Sequence, residues 1–337
     1  MHTLPLSARW ILTILFWLGS LSILFLFGNK NLPEKGFGVH LLYEVGTGWL
    51  VFTLYMIILL LLTNLVRLFN ISFNHQFITC FILTIITLIG GYINYTHPNT
   101  EVINIDINKS VEGKKQLRIA AISDLHLGYG ITNERLRTLM NKVQQGNPDL
   151  ILIGGDLIDS NLKPVIAQQM ENEINLLHAP MGVYMIPGNH EYISGIGKCR
   201  KYVKGKTHIQ WLQDSVVVLP NGIQIIGRDD RHNFRRKTLD ALAAPLNPEH
   251  PVILLDHQPY ELDKTVQSGV DLQFSGHTHY GQVWPVSWLT DYLFEVSHGY
   301  KQKGQTHIYV SSGLSLWGPP FRIGTQSEII IFNVKFK

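Results

Sequence analysis

Hydrophobic and polar positions change rhythm once along this chain. Up to about residue 97 the apolar residues run almost unbroken, in three uncharged stretches at Trp10–Phe27, Trp49–Val66 and Phe77–Tyr95. Each stretch has 18 or 19 residues, close to the ~20 that carry a helix through the hydrocarbon of a bilayer. Trp10, Trp49, Tyr92 and Tyr95 stand at their ends, where amphipathic rings favour the membrane interface. The pattern predicts an N-terminal bundle of three transmembrane helices over residues 1–97, with spans at 10–27, 49–66 and 77–95. A buried helical hairpin is the bland alternative, and three consecutive runs of this length argue against it. A cleaved leader is the other: the first run is too long for one, and Gly28-Asn29-Lys30 makes a poor cleavage site.

Beyond residue 97 the periods shorten. Residues His97–Lys115 read as a connector in which Val102–Ile107 alternates apolar and polar, the mark of an edge strand. Arg118–Ser123, Leu150–Ile153 and Val183–Ile186 are short buried-type strands. Between them lie helical spacings at Asn133–Gln145, stopped by Gly146-Asn147-Pro148, and at Val165–Leu177. The second half is richer in strands: Ile223–Ile226, Val252–Leu255, Asp271–Phe274, His307–Val310 and Glu328–Phe332. This order predicts an α/β domain over residues 98–337, a two-sheet sandwich flanked by helices.

Charge sharpens the division. Of 28 basic and 25 acidic residues, only six fall in the first hundred. The rest of the chain is nearly neutral, which speaks against a nucleic-acid partner, since that needs a basic face. Cys80, inside an apolar run, and Cys199, in the C-terminal part, are poor candidates for a disulfide. Three spans place the N-terminus and the C-terminal part on opposite sides of a membrane. Arg9 and Arg67 on one side are outnumbered by Lys30, Lys35, Lys109, Lys114, Lys115 and Arg118 on the other, which puts the C-terminal part in the cytoplasm.

The chemistry sits in five short clusters, each just after a strand-like run: Asp124-Leu125-His126, Gly155-Asp156-Leu157-Ile158-Asp159, Gly188-Asn189-His190-Glu191, His257, and Gly276-His277-Thr278-His279. Functional groups gather beyond the carboxyl ends of strands in α/β sheets. Asp124 and His126, two apart on an exit loop, can face one cation. Asp156 follows two glycines that allow a tight turn, and its two oxygens can bridge a pair of ions. Taken singly, each residue is more often a turn, cap or core residue. Five clusters in this order are not.

Order and spacing resemble the calcineurin-like metallophosphoesterase superfamily over roughly residues 115–332. Within it the chain is most similar to a membrane-associated bacterial branch, through Ile122–Gly128, Gly276–Gln282, Val310–Leu314 and Pro320-Phe321-Arg322. That branch usually has Gly after the final His, where this chain has Tyr280. The resemblance implies the calcineurin-like four-layer β-sandwich and a pair of divalent metal ions. Asp124, His126, Asp156 and His279 would hold one, and Asp156, Asn189, His257 and His277 the other. Mixed N and O ligands suit Mn²⁺, Fe or Zn²⁺ better than Mg²⁺ or Ca²⁺. It further implies hydrolysis of a phosphate ester or pyrophosphate by a hydroxide bridging two cations ~3.5–4 Å apart. His190 would protonate the leaving oxygen and Asp159 would orient it. Family phosphatases that follow this Asp with Arg-Gly grip phosphate with that Arg. Here Ser160 and Asn161 follow, so phosphoproteins are disfavoured and Arg322 becomes the candidate for substrate binding. Glu191 reads as a support of its loop.

The aromatic stretch Trp284–Phe294, with Tyr280 and Trp317, suits an apolar ledge. The expected substrate is therefore a lipid-linked phosphate, and membrane lipid the expected partner. The expected place is the bacterial cytoplasmic membrane, with the catalytic domain on its cytoplasmic face. Competing readings are a UDP-2,3-diacylglucosamine pyrophosphatase of lipid A synthesis, a general phosphodiesterase on soluble substrates, and an inactive membrane interaction protein. The last is disfavoured because every expected ligand and the expected acid are present.

Overall fold

The computed structural model describes residues 5–29, 32–71 and 74–337. Lys30, part of the charge comparison above, lies outside them. The three apolar stretches are helices α1 (Leu6–Gly28), α2 (Phe37–Arg67) and α3 (Gln76–Thr96). Their surfaces are covered by exposed Leu, Ile, Phe and Trp, which is tenable in lipid and untenable in water. Small residues let them approach: Gly19 lies against the Trp49 ring and Gly46 against Leu26. The chain is membrane-associated through these helices.

One of them is longer than the hydropathy pattern indicates. At 31 residues, α2 measures ~46 Å against a hydrocarbon core of ~30 Å. The surplus is its N-terminal third, where His40, Glu44 and Gly46-Thr47-Gly48 interrupt the apolar run. That third is packed against the following domain.

The strands begin at β1 (Asn99–Ile107), followed by β2 (Gln116–Ile122), β3 (Leu150–Ile153), β4 (Val183–Met185), β5 (Gln210–Trp211) and β6 (Ser215–Val218). Then come β7 (Gln224–Gly227), β8 (Val252–Leu255), β9 (Leu272–Ser275), β10 (Gly299–Lys303), β11 (Thr306–Val310) and β12 (Glu328–Phe336). They form two six-stranded mixed sheets, ordered β1-β12-β2-β3-β4-β5 and β10-β11-β9-β8-β7-β6. The alternating segment at Val102–Ile107 is indeed an edge strand, paired among the described residues only with β12.

The faces of the two sheets meet in one core. Leu117, Ile119, Leu150, Leu152 and Phe332 from the first sheet pack on Ile225, Ile253, Leu255, Leu272 and Phe274 from the second. The opposite face of the first sheet is covered by α4 (Asn133–Gln144), α5 (Leu162–Ala167), α6 (Glu171–Ile174) and, beyond α7 (Asn189–Ser194), α8 (Ile196–Lys206). The outer face of the second sheet carries α9 (Leu239–Ala243) and α10 (Leu262–Gln267). A last helix, α11 (Val286–Leu293), follows the final metal-type cluster. The result is the expected four-layer sandwich flanked by helices. Strands buried on both faces, such as Leu-Ile-Leu-Ile in β3 and Val-Ile-Leu-Leu in β8, read as unbroken apolar runs for that reason.

The single helix expected over Val165–Leu177 is two short ones. Gln169 adopts a left-handed backbone (φ 54) and breaks the run between α5 and α6. Asn161 caps α5, accepting from the Lys163 N–H at 3.0 Å. Asp159 is thereby left for other work.

Candidate active site

The carboxyl ends of β2, β3 and β4 in one sheet and of β8 and β9 in the other come together at one edge of the sandwich. Asp124 and His126 leave β2, Asp156 and Asp159 leave β3, Asn189 and His190 open α7 after β4, His257 follows β8, and His277 and His279 follow β9. The loops are pinned to one another by backbone bonds. Asp124 N–H donates to Gly155 O at 3.1 Å, His126 N–H to Asp156 O at 3.0 Å, and Gly276 N–H to His257 O at 2.9 Å.

The backbone is strained where the donors stand. Asp124 (φ 55), His126 (φ 48), Asp156 (φ 51), His277 (φ 73) and His279 (φ 49) all lie in the left-handed region. Each such residue costs about 1–3 kcal/mol and persists only where its surroundings enforce it, typically at functional sites. Tyr280 (φ 48) shares this conformation. A glycine would be relaxed there, whereas Tyr280 is held by stacking on His298 at 4.8 Å. Gly188 is needed for a different reason: a Cβ there would fall 2.2 Å from Asp156 Oδ1.

The side chains converge in two groups. In the first, His126 Nε2 lies 3.0 Å from His279 Nε2, and Asp124 Oδ1 lies 3.5 Å from His279 Nε2 and 3.8 Å from His126 Nε2. In the second, Asn189 Oδ1 lies 2.9 Å from His277 Nδ1 and 3.2 Å from His257 Nε2. Asp156 stands between them. Its Oδ2 is 3.2 Å from His257 Nε2 and 3.8 Å from His126 Nε2, the place a bridging carboxylate needs.

The donor set fits divalent metal. Buried imidazole nitrogens facing each other and a carboxylate at such distances mark the ligand shell of a cation. His279 also keeps Nδ1 buried with no hydrogen-bond partner. Burial, and beyond it the neighbouring His257, pushes His277 down to about 4. Burial likewise pushes His279 down to about 3, so both are neutral ligands at ordinary pH. Burial would also lower His126, but Asp124 and Asp159 outweigh it and raise it to about 10. For Asp156, burial opposes ionisation, yet His257 and His126 hold the carboxyl well below its usual range.

His190 pairs with Asp159. Its Nδ1 lies 2.9 Å from Asp159 Oδ1, and its backbone N–H donates to Asp156 Oδ1 at 2.9 Å. Glu191 is the loop support expected of it. It is fully buried and accepts from the N–H groups of Gly188 at 2.7 Å, Ile158 at 2.8 Å and Asp156 at 3.1 Å.

Arg322 does not do what was expected of it. It is fully buried. Its guanidinium donates to His279 O at 2.7 Å, to the carbonyls of Ser312, Gly313 and Ser315, and to Ser327 Oγ at 3.2 Å. Those carbonyls, three from the loop just before it in sequence and one from the loop of His279, absorb the charge that suggested a phosphate grip. Arg322 instead ties down the loop carrying His279. Of the arginines at 228, 231, 235 and 236, Arg228 and Arg236 both pair with the buried Asp256, at 2.7 and 3.0 Å.

One contributor escaped the sequence reading. Tyr43, from the surplus turns of α2, donates its hydroxyl to Asp159 Oδ2 at 3.2 Å. Nothing in its local sequence points across the 116 residues that separate the two.

Comparison with known proteins agrees with this geometry. The calcineurin-like phosphoesterase family matches residues 117–281. An uncharacterized metallophosphoesterase of Campylobacter jejuni is 32% identical over 286 residues, covering 83% of this chain and 75% of that protein. One from Helicobacter pylori is 36% identical over 247 residues, 71% of this chain and 65% of its own length. A zebrafish (Danio rerio) transmembrane protein with a metallophosphoesterase domain is 28% identical over 270 residues, 75% of this chain and 61% of that protein. The chain belongs to the calcineurin-like metallophosphoesterases. It is a metal-dependent phosphoric ester hydrolase carried on membrane helices.

Proposed function

We propose that the protein hydrolyses a lipid-linked phosphate ester or pyrophosphate at the bilayer surface, using two divalent ions of the Mn, Fe or Zn type. Asp124, His126 and His279 would hold one ion and Asn189, His257 and His277 the other, with Asp156 placed to serve both. Ions bound there would activate water and shield the charge of the phosphate. Asp159 fixes the His190 ring with its Nδ1 proton directed inward, which leaves Nε2 to give a proton to the departing oxygen. Glu191 and Arg322 keep the loops of the two donor groups in register.

The observation that carries the lipid assignment is the course of residues 283–294. Val283 packs on Val51 and Tyr55 of α2, and the Tyr55 hydroxyl donates to Trp284 O at 2.6 Å. From this contact with a membrane helix, α11 sets out with Trp288 66% and Tyr292 86% exposed, beside exposed Leu289 and Leu293. It ends at Phe294, whose ring lies 6.2 Å from that of His277. An apolar path therefore leads from the helices to a metal-ligand side chain, as acyl chains require. The surrounding lipid covers the exposed aromatics and is the partner. In this reading the catalytic part faces the cytoplasm, since the Lys-rich ends of the spans lie on its side.

The test compares phosphate esters bearing acyl or prenyl chains with their deacylated head groups, in one detergent and with Mn²⁺ added. The lipid forms should show the higher kcat/KM. Equal or better turnover of the soluble head groups would refute the lipid assignment and leave the hydrolase intact.

A further inference from the structure

The membrane helices do more than tether the catalytic part; one of them enters its active site. The surplus third of α2 packs among three loops at the edge of the sandwich. His40 Nδ1 meets Tyr129 O at 2.8 Å. The ring of Tyr43 lies so close to Gly130 that a Cβ there would be 2.9 Å away, and it faces the Tyr129 ring at 6.1 Å. Tyr43 is 9% exposed.

The polarity of its hydrogen bonds is fixed. Gly318 N–H approaches the Tyr43 oxygen at 3.3 Å, and an amide can only donate. The hydroxyl proton is therefore directed to its other neighbour, Asp159 Oδ2 at 3.2 Å. The opposite oxygen, Oδ1, takes His190 Nδ1 at 2.9 Å and Ser160 Oγ at 3.1 Å. The two carboxylate oxygens thus have separate donors, with His126 Nδ1 also 3.6 Å from Oδ1, and rotation of Asp159 about its side chain would break the Tyr43 and His190 contacts together. Removing the donor to Oδ2 leaves a buried oxygen unsatisfied, and the carboxylate can then turn to recover a partner.

We infer that Tyr43 is a positioning residue: through Asp159 it aims His190, so the acid of the phosphoesterase site is completed by a membrane helix. The inference rests on the role proposed for His190, and its test separates the two. It uses the full-length, Mn²⁺-loaded protein in detergent and two aryl phosphodiester probes, one with a p-nitrophenyl leaving group and one with phenyl. Proton donation matters most when the leaving group is poor. Tyr43→Phe, which keeps the ring and deletes the hydroxyl, should lower kcat about 3–10-fold for the phenyl probe, the worth of one hydrogen bond. It should change the p-nitrophenyl rate and both KM values by less than about twofold, since uniform binding is untouched.

In a His190→Ala background, adding Tyr43→Phe should cost nothing further, because coupled residues are not additive. Metal content of Tyr43→Phe should match wild type, and its melting temperature should fall by no more than about 8 °C, the cost of one or two buried hydrogen bonds. Tyr55→Phe, which deletes another hydroxyl from α2 that reaches the catalytic part, should leave the leaving-group dependence unaltered. An equal loss with and without His190, an equal loss for both probes, or the same leaving-group effect in Tyr55→Phe would overturn the positioning role. A His190→Ala protein with wild-type rates on both probes would overturn the acid assignment beneath it, and the inference with it.

Discussion

Replacing Glu191 by Ala should cripple the protein through its backbone. The buried carboxylate accepts three N–H groups, from Gly188, Ile158 and Asp156. One of these belongs to the residue placed between the two donor groups. Alanine strands all three donors at ~1–2 kcal/mol each, a total of about 3–6 kcal/mol after water enters the gap. For a domain of this size ~1 kcal/mol corresponds to about 2–4 °C, so the melting temperature should fall by roughly 6–24 °C. Glu191→Gln keeps one oxygen for two of the donors but turns an amide N–H against the third, and should cost about 2 kcal/mol. Differential scanning fluorimetry in detergent, with elemental analysis of the same samples, reads both effects. Asp156 loses its anchor in Glu191→Ala, so metal content should drop with stability. A Glu191→Ala protein that melts within about 2 °C of wild type and keeps its metal would refute this account of the loop.

Three further outcomes are expected. Asp156→Ala should remove both ions, because one carboxylate serves both donor groups, and elemental analysis finding a single retained ion would contradict the bridging position. Metal uptake should release protons and tighten as pH rises from 6 to 9. His126 is raised to about 10 by Asp124 and Asp159 against the pull of burial, so it binds a proton across that range which metal must displace. Isothermal titration in buffers of different ionisation enthalpy counts those protons, and uptake independent of pH would contradict the shift. A phosphatase-type reporter fused after Lys337 should stay silent when the catalytic part faces the cytoplasm, and reporter activity outside would reverse the orientation.

What could be read from sequence, and what could not, divides along the range of the interactions. The donor clusters were legible because each is a few residues long, of unmistakable type, and placed where a short apolar strand ends. The same locality made the two-sheet order readable. Arg322 was misjudged because the chain folds back so that carbonyls 7–10 residues earlier, of Ser312, Gly313 and Ser315, and that of the distant His279 all face its guanidinium, a turn no local pattern announces. The split between α5 and α6 turned on Gln169, a residue type that rarely takes φ 54 and gives no signal of a break. The N-terminal third of α2 was lost to hydropathy because His40 and Glu44 look like loop residues. They are helical because the catalytic part covers that stretch in place of lipid.

The contact between α2, α3 and the catalytic part has a practical edge. Cutting the chain just before β1 to obtain a water-soluble enzyme would bare Val283, Phe321 and Ile323, which now pack on Val51, Leu54, Tyr55 and Leu88. It would also strip Asn94 Nδ2 from the carbonyls of Arg322 and Thr325, at 2.9 and 2.8 Å, and the Tyr43 hydroxyl from Asp159. Such a fragment would be sticky and, with the role proposed for His190, would carry a loosened acid, so weak turnover from it would say little about the intact protein. Screens for substrates or inhibitors belong on the whole chain in nanodiscs, where the wall that α2 and α3 build is still standing.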